Sequence, residues 1–268
     1  MQQVFFREAG SGPGVVCLHA NASTSGQWRA LMDRLAPPHS PKFRVLAPDL
    51  YDSGKGPRWP SESVIRLRDE AAMIEPVLER AGSPHTLVGH SYGGAVALIA
   101  ALMNPGRVRA LALYEPTLFS VIEAEGFLSN DADGIRDTVH AAVQALEEGD
   151  EDLAAERFID YWMGAGAWAK TPEERKPAIA SSVVNIRRWA YALMREPTPL
   201  AAFRALNVPV LYMLGKRSTA SAHGVAKRLI PALPQVEVLE LDKLGHMGPV
   251  THADAVNEAI EGFLRRVA

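Results

Sequence analysis

Seven short runs of strand-forming residues alternate along the chain with segments of helical periodicity. From the second run onward most of them are continuously apolar, which is typical of strands covered on both faces of a parallel sheet. Strands that alternate with helices predict an α/β fold with a mostly parallel central sheet flanked by helices. The predicted strands are Val4–Arg7, Gly14–His19, Phe43–Pro48, His85–Gly89, Val108–Tyr114, Val208–Leu214 and Val236–Leu241.

Helical spacing is clearest in two stretches. Apolar residues at positions 64, 67, 71, 74 and 78 recur every three or four residues, so they predict one face of a helix. Near the C-terminus, positions 256, 260, 263 and 267 form a second apolar stripe of this kind. Both stripes are expected to pack against the sheet.

Residues 117–204 interrupt the alternation because they contain helical pattern and no convincing strand. They predict a helical cap inserted into a core made of residues 1–116 and 205–268. The insertion holds three of the five tryptophans, Trp162, Trp168 and Trp189. An aromatic-rich insertion above a sheet edge is typical of a lid over an apolar pocket. The alternative is that these rings only attach the insertion to the sheet.

Composition narrows the class of protein. With 268 residues, 47% apolar and 22% charged, the chain is long and apolar enough to build a large core, which excludes disorder as its main state. A net charge of −3 provides no basic surface for nucleic acid or an anionic membrane. One cysteine, Cys17, cannot form an internal disulfide, and neither a leader segment nor an apolar span is evident. We expect a cytoplasmic protein that acts on a small molecule; its oligomeric state is not indicated.

The segment Gly89-His90-Ser91-Tyr92-Gly93 is the strongest chemical signal. An apolar strand runs into it and a helix of small apolar residues follows, which is the setting of a nucleophile elbow. In such a tight turn the serine hydroxyl projects over the sheet edge, and side chains in place of the two glycines would collide with neighbouring elements. Ser91 is therefore the predicted nucleophile.

These features resemble the α/β-hydrolase superfamily, and most closely its small bacterial serine esterases. The resemblance covers nearly the whole chain and implies a base on a loop after the last strand, where His246 follows Gly245. It also implies an oxyanion hole formed by the backbone N–H of Tyr92 and by that of Asn21, with Ala22 as the alternative. His19 is expected to brace this loop, and Trp28 to pack behind it and border the substrate pocket with Trp162 and Trp189.

The acid of the expected triad is less obvious. The family usually carries an aspartate after the penultimate strand, but here Ser218 stands at that place, and a serine cannot stabilise an imidazolium by charge. Glu115 ends the strand after the elbow helix and is similar in position to the acid of dehalogenase-like members. We predict Glu115 as the acid. Asp242 is the alternative, and Glu115 would otherwise cap its strand or pair with an arginine.

Together these residues predict a serine hydrolase that cleaves carboxylic esters through an acyl-enzyme, with the triad Ser91, Glu115 and His246 and with neither cofactor nor metal. Serine in place of an aspartate nucleophile argues against haloalkane dehalogenase chemistry. Other possibilities are a C–C bond hydrolase, a lactonase or an acyltransferase on the same triad. A non-catalytic ligand receptor on the same fold also remains, favoured only by Ser218 at the usual acid position.

Overall fold

The computed structural model describes residues 4–60, 63–124, 126 and 130–268. Seven strands within these ranges form one sheet in the order β1-β3-β2-β4-β5-β6-β7. The strands are β1 (Phe6–Gly10), β2 (Gly14–Leu18), β3 (Arg44–Pro48), β4 (His85–His90), β5 (Val108–Tyr114), β6 (Val210–Gly215) and β7 (Val236–Leu241).

All seven predicted strands are present, and the predicted mostly parallel sheet is confirmed. Strand β1 pairs antiparallel with β3, whereas the other neighbours are parallel. The largest difference is at β1, which lies two to three residues later than predicted. It ends at Gly10, where a φ of 76° suits glycine and the chain turns towards β2.

Twelve α-helices lie in the described residues, and five of them belong to the segment between β5 and β6. Before it come α1 (Arg29–Leu35), α2 (Leu67–Met73), α3 (Glu75–Ala81) and α4 (Tyr92–Met103). The helical insertion (residues 117–204) contains α5 (Ser120–Glu123), α6 (Asp133–Glu147), α7 (Glu151–Met163), α8 (Lys176–Val183) and α9 (Ile186–Met194). The chain ends with α10 (Ala220–Leu229), α11 (Gly248–Thr251) and α12 (Ala253–Val267).

Two apolar cores cover the two faces of the sheet. Successive side chains of a strand point to opposite faces, so in β2 Val16 and Leu18 join one core while Val15 and Cys17 join the other. The first core contains residues of α2, α3, α4 and the insertion, and the second contains residues of α1 and α12. The central strands β2, β4 and β6 are therefore buried throughout, as their continuous apolar sequences predicted.

The apolar stripe predicted over residues 64–78 is divided between two helices. Helix α2 ends at Met73 and α3 begins at Glu75, with Pro76 in the first turn of α3. Proline lacks the N–H that a continuous helix would need there, so the chain restarts its helix. Val64 lies before α2 and is 42% exposed, which contradicts its predicted place on the buried face.

None of the helices in the described residues has the length and apolar character needed to span a lipid bilayer.

Candidate active site

Ser91 occupies a strained turn between β4 and α4. Its φ of 55° and ψ of −120° lie in a region that residues other than glycine rarely adopt. A Cβ at Gly89 would come within 2.6 Å of Gly93 O, and one at Gly93 within 2.3 Å of Leu18 O. The two glycines are therefore required for the close passage of α4 over β2 and β4, as the motif predicted.

His246 lies on the loop after β7, and its ring reaches the elbow. Its Nε2 is 2.9 Å from Ser91 Oγ, and both residues are buried. The loop is tied to the sheet by Tyr114, whose hydroxyl donates to Gly245 O at 2.7 Å. The base predicted from sequence thus lies within hydrogen-bond distance of the predicted nucleophile.

Glu115 lies directly after β5 and is fully buried. Its Oε2 is 2.7 Å from His246 Nδ1, so the carboxylate accepts a hydrogen bond from the imidazole. Since Nδ1 is the donor in that bond, Nε2 is left to accept a proton from Ser91. A φ of 43° at Glu115 turns its side chain out of the regular strand direction. Two consecutive hydrogen bonds thus connect the side chains of Ser91, His246 and Glu115.

Ser218 completes the surroundings of that carboxylate. Glu115 Oε1 accepts from the Ser218 hydroxyl at 2.6 Å and from the backbone N–H of Gly215 at 2.6 Å. With the imidazole, three donors therefore satisfy a charge that would be costly to bury alone. Sequence reasoning treated Ser218 only as a missing acid and did not identify it as a donor. Asp242, the alternative acid, is exposed and pairs with Lys216 at 2.7 Å.

The two residues predicted to supply oxyanion donors lie beside the nucleophile. Tyr92 is the first residue of α4, so its N–H has no carbonyl in a preceding turn. Asn21 borders the same cavity as Ser91. His19 braces the Asn21 loop as predicted, because its Nδ1 donates to Ala20 O at 2.7 Å and its Nε2 accepts from Leu50 N at 3.0 Å.

A chain of hydrogen bonds joins the Asn21 loop to the His246 loop. Gln27 Oε1 accepts from Ala20 N at 3.2 Å, and its amide nitrogen lies 3.1 Å from His90 Nδ1. His90 Nε2 donates to the carbonyl of His246 at 2.8 Å. Burial, reinforced by the nearby His246 ring, holds the pKa of His90 well below its usual range, so this histidine is neutral. In the sequence His90 is identified only as a member of the elbow motif, which does not predict this bridge.

Two of the three predicted pocket tryptophans reach the site. Trp162 of α7 stacks on His246, and both Trp162 and Trp189 border the cavity beside Ser91. The prediction that Trp28 borders the pocket is wrong. Trp28 is buried in the core between the sheet and α1, away from the described walls of that cavity. Its large apolar ring, at a position that directly precedes α1, packs inward with the apolar face of that helix.

Trp162 borders two spaces, the cavity at Ser91 and a groove beside the His246 loop. The first is a narrow cavity of about 20 Å³, lined by Ser91, Asn21, Thr117 and apolar side chains of the insertion. The second is an open groove of about 320 Å³, lined by Arg217, Ser218 and the residues on both sides of His246. The cavity has room for about one water molecule, whereas small-molecule pockets usually exceed 300 Å³.

Metal ligation is not suggested by the side chains that the structure describes, since no group of three or more His, Cys, Asp or Glu residues is arranged to hold an ion.

Comparison with known proteins agrees with the fold. The sequence model of the alpha/beta hydrolase fold matches residues 13–253. The chain therefore belongs to the alpha/beta hydrolase family and is a hydrolytic enzyme, which removes the alternative of a non-catalytic receptor.

The individual relatives match along nearly their full length. The pimeloyl-acyl-carrier-protein methyl ester esterase of Yersinia enterocolitica is 31% identical over 99% of both chains. The haloalkane dehalogenase of Bradyrhizobium diazoefficiens is 24% identical over 97% of this chain and 90% of its own. Among solved structures, an esterase from Exiguobacterium antarcticum has a TM-score of 0.78 at 18% identity and covers 98% of this chain and 95% of its own.

Proposed function

We propose that the protein hydrolyses carboxylic esters through an acyl-enzyme formed on Ser91. The observation that carries the proposal is the buried row of hydrogen bonds from Ser91 Oγ through His246 to Glu115, with lengths of 2.9 and 2.7 Å. A hydroxyl beside a base that is in turn held by a carboxylate is the arrangement that activates serine for attack on a carbonyl. Esterase names among the relatives support the same reaction class.

In the first half of the reaction, Ser91 Oγ attacks the carbonyl carbon of the ester while His246 Nε2 accepts the hydroxyl proton. Glu115 stabilises the imidazolium that forms. The negative charge that develops on the carbonyl oxygen is bound by the N–H groups of Tyr92 and Asn21. Collapse of this intermediate breaks the bond to the alcohol oxygen, which leaves with the proton from His246.

In the second half, His246 takes a proton from water, and the resulting nucleophile attacks the acyl-Ser91 carbonyl. The second tetrahedral intermediate expels Ser91 Oγ, which recovers its proton from His246, and the carboxylic acid is released. His246 carries every proton transfer in this sequence, from Ser91 to the alcohol and then from water to Ser91.

The helical insertion is proposed to act as a cap over this site. Trp162 and Trp189 come from its helices α7 and α9, and both border the narrow cavity at Ser91. Since that cavity is too small for most acyl groups, entry of a substrate requires side chains of the insertion to move. The apolar walls favour an acyl group of small to moderate size. We place the division between core and cap at residues 117 and 204.

Hydrolysis of p-nitrophenyl acetate and butyrate by the wild-type protein and by Ser91→Ala tests the proposal. We expect the substitution to lower kcat by at least about 10³-fold, because removal of the nucleophile ends acyl transfer. Ser40→Ala, which changes an exposed serine far along the chain, is the matched control and should retain wild-type turnover. Equal rates for wild type and Ser91→Ala would reject the proposal. A fluorophosphonate label found by mass spectrometry on Ser91 would support it directly.

A further inference from the structure

Thr117 borders the cavity beside Ser91 and carries a buried hydroxyl without a described partner. The residue is 1% exposed, and within the described chain its Oγ1 has no hydrogen-bond partner. The other walls of the cavity are almost entirely apolar, with Phe119, Phe158 and Leu193 among them. Buried hydroxyls are nearly always paired, so an unpaired one on a residue that borders a substrate cavity marks a position where a ligand atom can bind.

The position of this hydroxyl is fixed relative to the nucleophile. The backbone N–H of Thr117 donates to the carbonyl of Ser91 at 3.3 Å, so the two residues are neighbours across the strand ends. Three other buried hydroxyls without a described partner, Ser25, Ser120 and Tyr212, lie outside the described lining of this cavity. The unpaired hydroxyl of Thr117 is therefore a feature of the site.

The cavity is the place for the acyl part of the ester. In the proposed reaction His246 hands its proton to the departing alcohol, so the alcohol lies on the His246 side. The open groove is bordered by Gly245 and Met247, which flank His246, whereas the cavity is bordered by Ser91 and Thr117. The acyl chain therefore extends from Ser91 towards Thr117.

We propose that Thr117 is a specificity-determining residue, whose hydroxyl binds a polar substituent on the second or third carbon of a short acyl chain. This proposal rests on the proposed ester hydrolysis. A threonine hydroxyl both donates and accepts, so an ether, hydroxyl or carbonyl oxygen at that position satisfies it. The preferred substrates are esters of short oxygenated acids, and purely aliphatic esters of the same size leave the hydroxyl unpaired.

Two pairs of nearly isosteric p-nitrophenyl esters test the proposal: methoxyacetate with butyrate, and 3-hydroxybutyrate with 3-methylbutyrate. For each pair the ratio of kcat/KM values is compared between wild type and Thr117→Val, so that the different intrinsic reactivities of the esters cancel. We expect the preference for the oxygenated ester to fall by about 10-fold in Thr117→Val for at least one pair, the size of one buried hydrogen bond. Thr117→Ser, which keeps the hydroxyl, should retain the wild-type ratio.

Ser120→Ala is the matched control, since it removes an unpaired hydroxyl outside the described cavity walls, and its ratios should equal those of wild type. If Thr117→Val does not fold, as judged by its thermal melt, Thr117→Ala removes the same group. If the ratios are unchanged in both pairs while turnover still depends on Ser91, the proposed role of Thr117 is overturned and the proposed ester hydrolysis stands. Turnover that survives Ser91→Ala would instead overturn the proposed function, and the Thr117 proposal with it.

Discussion

The indole of Trp162 lies on the imidazole of His246, with 3.9 Å between the ring centroids and 26° between their planes. The indole is itself held from two sides, because Tyr161 meets its face edge-on at 4.8 Å and Phe119 stacks against it at 6.4 Å. A helix of the insertion thereby contacts the base proposed for catalysis. The same residue borders both the narrow cavity at Ser91 and the open groove.

Replacement of Trp162 by alanine is expected to join the cavity and the groove. A longer acyl chain would then find apolar space that the indole fills in the wild type, and each buried methylene is worth about 0.8 kcal/mol. We expect the ratio of kcat/KM for p-nitrophenyl octanoate to that for the acetate to rise by about 10-fold or more. Steady-state kinetics over acyl chains of two to eight carbons measures it.

Trp168→Phe provides the comparison for Trp162. Trp168 is another buried tryptophan of the insertion, but the described walls of the cavity do not include it. Its variant should keep the wild-type dependence on chain length. If Trp162→Ala also keeps the wild-type dependence of kcat/KM on acyl chain length, the indole is not what limits the length of the acyl chain.

Glu115→Gln is expected to lower kcat by about 10³- to 10⁴-fold, as loss of a triad carboxylate does in serine proteases. Glutamine nearly preserves the shape of the side chain but removes the charge that stabilises the imidazolium. Asp242→Asn removes the alternative carboxylate, which is exposed and paired with Lys216, and should leave kcat close to wild type. The reverse pattern, a large loss with Asp242→Asn and none with Glu115→Gln, would transfer the role to Asp242.

Ser218→Ala tests whether the second oxygen of Glu115 must be held. Loss of the 2.6 Å hydrogen bond leaves Gly215 N–H as the remaining donor to that oxygen, so the carboxylate is less firmly directed at His246. A hydrogen bond to a charged group contributes about 1.5–3 kcal/mol, and kcat should fall by about 10-fold or more with KM little changed.

Ser218→Thr keeps the hydroxyl and should restore most of the lost rate. A change confined to KM, or one that threonine does not reverse, would contradict a positioning role for Ser218.

Much of the architecture could be predicted from sequence because buried strands leave a strong local signal. Runs of strand-forming residues, most of them continuously apolar, identified every strand of the sheet, and the glycines around Ser91 identified the elbow. Local sequence patterns predicted the ends of helices and strands less well where a single residue sets the boundary. Pro76 divides a stripe that otherwise reads as a single helix, and Gly10 sets the end of β1 through its backbone conformation.

The site was predicted unevenly for a related reason. Ser91 lies in a recognisable glycine turn and His246 follows a glycine after the last strand, but the partners of Glu115 depend on which strand ends lie side by side. Ser218 and Glu115 are 103 positions apart, and only the β5–β6 pairing brings their side chains together. Likewise the apolar spacing of α7 predicts a buried face for Trp162 but cannot reveal that the face covers an imidazole.

A buried carboxyl behind the elbow predicts how stability depends on pH. Glu70 of α2 is 1% exposed and accepts hydrogen bonds from Tyr51 N at 3.1 Å and from the Tyr92 hydroxyl at 3.2 Å. Burial raises the pKa of Glu70 to about 8, although both hydrogen bonds act in the opposite direction. The folded protein therefore keeps a proton that the unfolded chain, with a pKa near 4.5, releases.

Between pH 4.5 and 8 the free energy of unfolding should thus fall as the pH rises, by about 1.4 kcal/mol for each unit of the pKa shift, and then level off. Glu70→Gln has no proton to lose, so its stability relative to wild type should increase from pH 5 to pH 9 in urea denaturation. Glu79→Gln, which changes an exposed carboxylate on α3, should follow the wild-type curve at every pH. If the difference between Glu70→Gln and wild type is the same at pH 5 and pH 9, Glu70 is already ionised in the folded protein at pH 5.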